Sequence, residues 1–274
     1  MTETRPHPRI MLCLPVGTYS LAPIEIASDI ARWIGSNLET MVSADDISDA
    51  RDAMPFAREF QPLFQRWKNW DSEQVSSDRH LLQRKFRREA EKIANASGVS
   101  SLFQTVSDEL AVRLGELGRD TDIIAFPAPR LSGEELVGSY PQLLACVSSI
   151  SRSILILPQA PVRRKGPILA VLSKDDMILR RLAEQIARAA SEDLIIIDAD
   201  QDRDRQARPG SVHPSRRLPV HFTDSQETHR LPLAGVRDLG ERLVLMSRQS
   251  CQDLTEADFL KVVATRRVPL LIAT

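Results

Sequence analysis

The sequence predicts an α/β protein made of two tandem doubly wound domains, each with a mainly parallel five-stranded sheet flanked by helices. Three observations carry this. Short, wholly apolar runs suit strands buried on both faces of a parallel sheet. Segments with apolar residues at helical spacing separate those runs. The strand, turn, helix, strand layout of residues 10–42 then returns at 168–197.

The first strand is Ile10-Met11-Leu12-Cys13-Leu14, closed by Pro15. A turn at Gly17 and Thr18 leads into a helix over 20–35 with Ile24, Ala27, Ala31 and Ile34 on its apolar face. Gly35 stops it, just before Leu38 opens the second strand. Residues 44–71 are an insert that a minimal strand-helix repeat does not need. Within it Phe56, Phe60, Phe64 and Trp67 fall on one helical face, and Pro62 breaks or kinks that helix unless the helix begins near it. The face either packs on its own domain or recruits a partner, because aromatic side chains anchor interfaces.

A long helix over 73–96 follows, with Leu82, Phe86, Ala90 and Ile93 inward and Arg84, Lys85, Arg87, Arg88 and Lys92 outward. Glu89 and Glu91 interleave with the basic residues, so the face reads as solvated and not as a nucleic-acid surface. Gly98 ends the helix. A strand at 101–106, a helix at 108–117 that Ser107 caps, a strand at 123–126, a helix at 131–151 and a strand at 154–157 complete the first domain, residues 1–160.

Residues 161–166 are polar and without periodicity, and read as a linker. The second domain, 167–274, repeats the plan in shortened form. Its first strand is Ile168-Leu169-Ala170-Val171-Leu172, its first helix has Ile178, Leu182, Ile186 and Ala189 on one face, and 194–197 is the returning strand. A charged loop at 198–218 takes the place of the long helix. Then come a strand at 220–222, a short helix at 233–239, a strand at 243–246, a helix at 255–265 and a strand at 270–272. Such alternation gives parallel sheets through right-handed crossovers.

Composition narrows the function classes. The chain of 274 residues is 42% hydrophobic and 27% charged, the balance of a globular protein, and 36 basic against 37 acidic residues create no field to recruit nucleic acid. Cys13, Cys146 and Cys251 lie far apart without CxxC spacing, which reads as buried reduced thiols in a cytoplasmic protein. No apolar run approaches the roughly 20 residues that span a bilayer, and the polar N-terminus is no signal peptide. Asp198, Asp200, Asp202 and Asp204 alternate as in a calcium loop, but Arg203 replaces the glycine and Pro209 the closing glutamate. His7, His80, His213, His221 and His229 lack ligand spacing, so no metal is expected. There is no GxSxG elbow, Walker loop or GxGxxG fingerprint; no catalytic residues are assigned and no enzyme is expected. Asp175 and Asp176 are read either as an acid pair beside the switch point or as stabilisers of a helix dipole, worth about 0.3–1 kcal/mol.

Several stretches together resemble the universal stress protein family. Leu12-Cys13-Leu14-Pro15-Val16 with the helix holding Ala27-Ser28-Asp29-Ile30-Ala31 is similar to its opening. The run from Phe86 to Ala94 before Gly98-Val99 resembles its second helix, and Thr121-Asp122-Ile123-Ile124 its fourth strand. The likeness covers 10–158 and, in order, 168–273. It implies a fold related to the Rossmann-like adenine-nucleotide-binding group, a role in stress response or regulation, and halves that pair through edge strands or helices as the family's dimers do. It also implies ligand clefts at the carboxyl ends of the strands.

Family members that bind ATP carry an acidic residue after the first strand and a glycine loop after the fourth, whose amides close around phosphates. Here Gly17 and Ser173 stand in the acidic position of the two halves. Pro127 and Pro129 occupy the loop, and Gly133 lies too close to Gly138-Ser139 for the family spacing. These departures predict that the ATP pocket is lost, that no cofactor is held, and that the protein acts by binding a protein partner or a copy of itself. The alternative is an ATP- or AMP-binding stress switch with an unorthodox pocket at Val16, Gly17, Thr18, Gly133, Gly138 and Ser139.

Overall fold

The computed structural model describes residues 9–15, 20–43, 58–61, 65–69, 72–106, 110–118, 122–128, 153–159, 162–173, 175–198, 239–249 and 254–273. The strand expected at 220–222, the helices at 131–151 and 233–239, Ser107, and the charged loop after Asp198 lie outside these residues. So do Cys146 and Cys251.

In the first half the elements are β1 (Arg9–Leu14), α1 (Ala22–Ile34), β2 (Asn37–Ser43), β3 (Arg58–Gln61), β4 (Arg66–Asn69), α2 (Ser72–Ala96), β5 (Ser101–Val106), α3 (Leu110–Leu117), β6 (Ile123–Pro127) and β7 (Ser153–Leu157). The second half adds β8 (Ile168–Leu172), α4 (Met177–Ala190), β9 (Leu194–Asp198), β10 (Leu243–Ser247), α5 (Glu256–Arg266) and β11 (Leu270–Ala273). The fold is α/β with a mostly parallel sheet flanked by helices, as the sequence predicts.

Two five-stranded sheets were expected; the described strands form one nine-stranded sheet in the order β5-β2-β1-β6-β7-β11-β10-β8-β9. Every neighbouring pair is parallel except β7 and β11, which run antiparallel with Leu155 opposite Leu271. The reason lies in the two edges. Ile154 to Leu157 and Leu270 to Ala273 are apolar runs that end their halves, and either would be an exposed sticky edge on its own. Two units of the same hand that meet at the same edge with their first helices, α1 and α4, on one face are related by a rotation about an axis normal to the sheet, and that rotation reverses the strand direction. Read outward from this seam, each half continues with its penultimate described strand (β6, β10), then its first (β1, β8) and second (β2, β9).

Side chains alternate along β1. Ile10, Leu12 and Leu14 join the core layer under α1, α2 and α4, whereas Met11 and Cys13 join the opposite layer under α3 and α5. Both layers cross the seam: Leu155 and Leu271 lie in the first, Ile156 and Ile272 in the second. The thiol of Cys13 is buried within this sheet.

Local sequence accounts for the helix ends. Gly35 and Gly98 adopt φ of 74° and 70°, the left-handed stop that glycine takes without strain. Thr255 caps α5 through a capping box with Asp258. At Gly166, φ is 144° and a Cβ would overlap the Gly240 carbonyl oxygen, so only glycine fits where the two chain segments touch.

Three expectations need correction. Leu82 is exposed; the inward face of α2 is Phe86, Ala90 and Ala94, with Ile93 packed beside them, because the helix crosses the sheet only along its later turns. On α4 the buried stripe is Leu179, Ala183, Ile186 and Ala187, while Ile178 is 81% exposed and Ala189 also faces solvent. Ile186 is common to the expected and observed faces and Leu182 packs against the core, so the expected face fails only at Ile178 and Ala189. Residues 58–61 and 66–69 form not an aromatic helix but the antiparallel pair β3–β4, with Phe60 opposite Trp67. Phe60 and Trp67 are seven apart, which puts them on one helical face and equally suits a pair facing each other across two antiparallel strands, so the spacing did not discriminate.

The buried carboxylates Glu39, Asp122 and Glu241 are all paired. Arg9 at the amino end of β1 donates from Nε and Nη2 to Asp122 Oδ2 (3.2 and 3.1 Å), and also to Glu39 and to the Leu117 carbonyl. Gln104 Nε2 gives Glu39 a second donor at 3.1 Å. Burial works against the Arg9 charge, but the hydrogen bond and charge of Asp122, then those of Glu39, outweigh it and hold its pKa above the ordinary value. In the second half Glu241 pairs with Arg266 and accepts from the Leu239 amide at 3.0 Å.

A third cluster ties the halves together on the face covered by α1, α2 and α4. The Arg242 guanidinium lies 4.4 Å over the ring of Trp33 and reaches Asp29 (3.3 Å) on α1 and Glu192 (3.4 Å) after α4. Gln185 Nε2 on α4 donates to the Ile34 carbonyl that ends α1, at 2.9 Å.

Candidate functional site

In a doubly wound sheet, the crevice opens where strand order reverses, beyond the carboxyl ends. In the first half the chain proceeds from β1 outward to β2 and β5 and then returns to β6, so the switch point lies between β1 and β6. In the second half it lies between β8 and β10.

At the first switch point β1 ends at Leu14-Pro15, and β6 ends at Pro127-Ala128. Gln159, just past β7, braces this end: its Nε2 donates to the Ala128 carbonyl at 2.7 Å, and its own carbonyl accepts from Ser20 Oγ at 3.4 Å. The Ala128 amide donates to the Leu157 carbonyl at 2.6 Å. That amide would otherwise be free to meet a phosphate oxygen; here it extends the β6–β7 ladder. Ser20, Gln159 and Ala128 offer hydrogen bonds but no titratable group.

The second switch point is closed by its own carboxylate. Asp176 Oδ2 accepts from both the Ser173 amide and the Ser173 hydroxyl, each at 2.9 Å. Its backbone carbonyl accepts the Arg180 amide at 3.0 Å as α4 begins. An acidic group at a helix N-terminus is favourable; here it also consumes the two donors that an incoming anion would need. Asp176 stands at the N-cap position of α4, but its side chain makes no capping bond and turns back to Ser173, while Asp175 is exposed. Across the crevice lie the buried Ser247 and then Arg248, whose amide donates to the Ala273 carbonyl at 2.8 Å.

Val16, Gly17, Thr18, Gly133, Gly138 and Ser139 all lie outside the described residues. Of the aromatic set, Phe56 and Phe64 also lie outside them. Phe60 and Trp67 are brought together by the β3–β4 register, and Trp67 is 63% exposed. Among the described residues, no three His, Cys, Asp or Glu side chains gather closely enough to hold a metal ion, and no helix is long and apolar enough to cross a membrane. Sequence reasoning missed the brace at Gln159, which sits at the end of an apolar strand as one polar residue among many.

No protein-family model matches the chain. No curated protein matches it. Two solved structures are similar in overall form. One is a Pseudomonas aeruginosa UCBPP-PA14 protein assigned provisionally to the universal stress proteins, 14% identical, with 97% of this chain and 93% of that chain covered at a TM-score of 0.47. The other is a functionally unknown protein of Pseudomonas aeruginosa PAO1, 14% identical, with 97% and 92% covered at a TM-score of 0.47. Neither likeness carries chemistry to this chain.

Proposed function

We propose that the chain is a cytoplasmic, universal stress protein-like protein of two units, 1–160 and 167–274, that acts in stress response or regulation by binding and not by catalysis. The observation that supports this reading best is the state of the two switch points. At each, one described pair is already bonded: Gln159 to Ala128 in the first half, Ser173 to Asp176 in the second. A triphosphate would have to displace these bonds and, in the second half, a carboxylate of its own sign.

The test is a thermal melt of the full chain with millimolar magnesium ATP and, separately, AMP. Ligand at 100 times its dissociation constant stabilises by about 2.7 kcal/mol, enough to raise the melting midpoint by about 5 °C or more. No shift is expected. A shift that vanishes in Gly133→Val or Ser139→Ala would instead establish the nucleotide switch at Val16, Gly17, Thr18, Gly133, Gly138 and Ser139.

The β3–β4 pair of the insert is the proposed surface for self-association, because Trp67 is both large and exposed. Trp67→Glu is expected to leave the melting midpoint within about 1 °C, since exposed positions usually change stability by under about 0.5 kcal/mol. It should lower the sedimentation-derived mass if copies associate there. An unchanged association state would remove the β3–β4 pair from the proposal.

A further inference from the structure

On α2, Ser77, His80, Arg84 and Arg87 recur at intervals of three, four and three, so they form one stripe. This stripe lines a groove of about 490 Å³ whose other wall is Phe103 and Thr105, alternate residues of β5. A helix laid on a sheet presents apolar residues to it; α2 does so with Phe86 and Ala90, and beside them turns this cationic stripe toward the same strand. Arg87 lies 5.8 Å over the Phe103 ring and pairs with Glu91 at 2.8 Å. Arg84 donates from Nε to the His80 carbonyl at 3.3 Å, and no described carboxylate pairs with it.

The strand is as telling as the helix. β5 ends the order of the nine-stranded sheet and pairs only with β2 among the described strands. Its outer row of backbone amides and carbonyls is the kind of template that a further strand completes. Leu102, on the face away from the groove, is 53% exposed and would pack on the alternate side chains of such a strand.

We propose that the β5 edge and the α2 stripe together bind an extended acidic peptide segment of a protein partner. The peptide adds as a strand beside β5. Its main chain supplies affinity, and alternate side chains supply specificity: carboxylates meet Arg84 and Arg87, and the intervening apolar residues meet Leu102. Charge decides between occupants, because a stripe with two arginines selects carboxylates and rejects a basic segment. The proposal rests on the binding reading above but fails separately from it, since nucleotide and peptide are measured at different sites.

The test uses fluorescence anisotropy of the full chain with a labelled peptide of about eight residues alternating glutamate and valine. Binding is expected, weakening as salt rises past about 0.15 M, at least about ten-fold weaker for the lysine-valine peptide and for Arg84→Glu/Arg87→Glu. These positions are on the surface, and the variant should melt as the parent does. Two further probes carry N-methyl groups on alternate amides, one in each phase; one phase must lose binding if the peptide pairs with β5. No binding at millimolar glutamate-valine peptide, equal binding of the lysine peptide, or indifference to both methylated probes would overturn the proposal. So would loss of self-association in the double variant together with no peptide binding, which would make this edge an interface between copies.

Discussion

Replacing Arg9 by methionine is expected to cost about 3–5 kcal/mol of folding stability, toward the lower end because the arginine is 20% exposed. The loss does not come from the attraction removed. It comes from what remains: Asp122, whose side chain is 1% exposed, and the nearly buried Glu39 would be left in the interior without the cation that faces both. Three donors of one guanidinium serve Asp122, Glu39 and the Leu117 carbonyl, so no single neighbour can replace it. Urea unfolding should show a lowered midpoint at unchanged slope. Arg9→Met/Asp122→Asn should lose less than the sum of the two single variants, because neutralising the stranded carboxylate removes the penalty. Strict additivity, or a single-variant loss below about 1 kcal/mol, would mean that water reaches this cluster.

Leu271→Ala is expected to cost about 2–5 kcal/mol, the range for a fully buried leucine truncated in a close-packed core. Leu271 is completely buried opposite Leu155, across the only antiparallel junction of the described sheet. More telling is where the loss is felt. All three tryptophans, Trp33, Trp67 and Trp70, belong to the first half. If the core layers that cross the seam couple the halves, tryptophan fluorescence and far-ultraviolet circular dichroism will report the same lowered midpoint. A fluorescence midpoint that stays put while the dichroism splits into two transitions would show halves that fold independently.

The strands were legible because their apolar runs are unbroken: Ile10 to Leu14, Ile123 to Phe126 and Ile168 to Leu172 can sit only where both faces are covered. Helix ends at Gly35 and Gly98 were legible for an equally local reason, the backbone freedom of glycine. The pairing of 58–61 with 66–69 was not, since a spacing of seven suits a helix face and an antiparallel register alike. The stripe on α4 was legible at Leu182 and Ile186 but not at its start, because Ile178 is apolar in sequence yet exposed there. Of the clefts, the departures from the glycine pattern could be read directly, but not the brace of Gln159 on Ala128.

By itself, then, the sequence determined an α/β chain whose strand-helix unit occurs twice, with loops poor in the glycines that cradle phosphate. These are local properties, set by the period and polarity of neighbouring residues. Only tertiary structure decided that the halves share one sheet, that Arg9 pairs with Glu39 of β2 and with Asp122 just before β6, and that Arg84 and Arg87 overlook an edge. Each of those depends on groups distant in sequence meeting in space, and no pattern along the chain encodes which distant edge will reduce its exposed surface most by pairing.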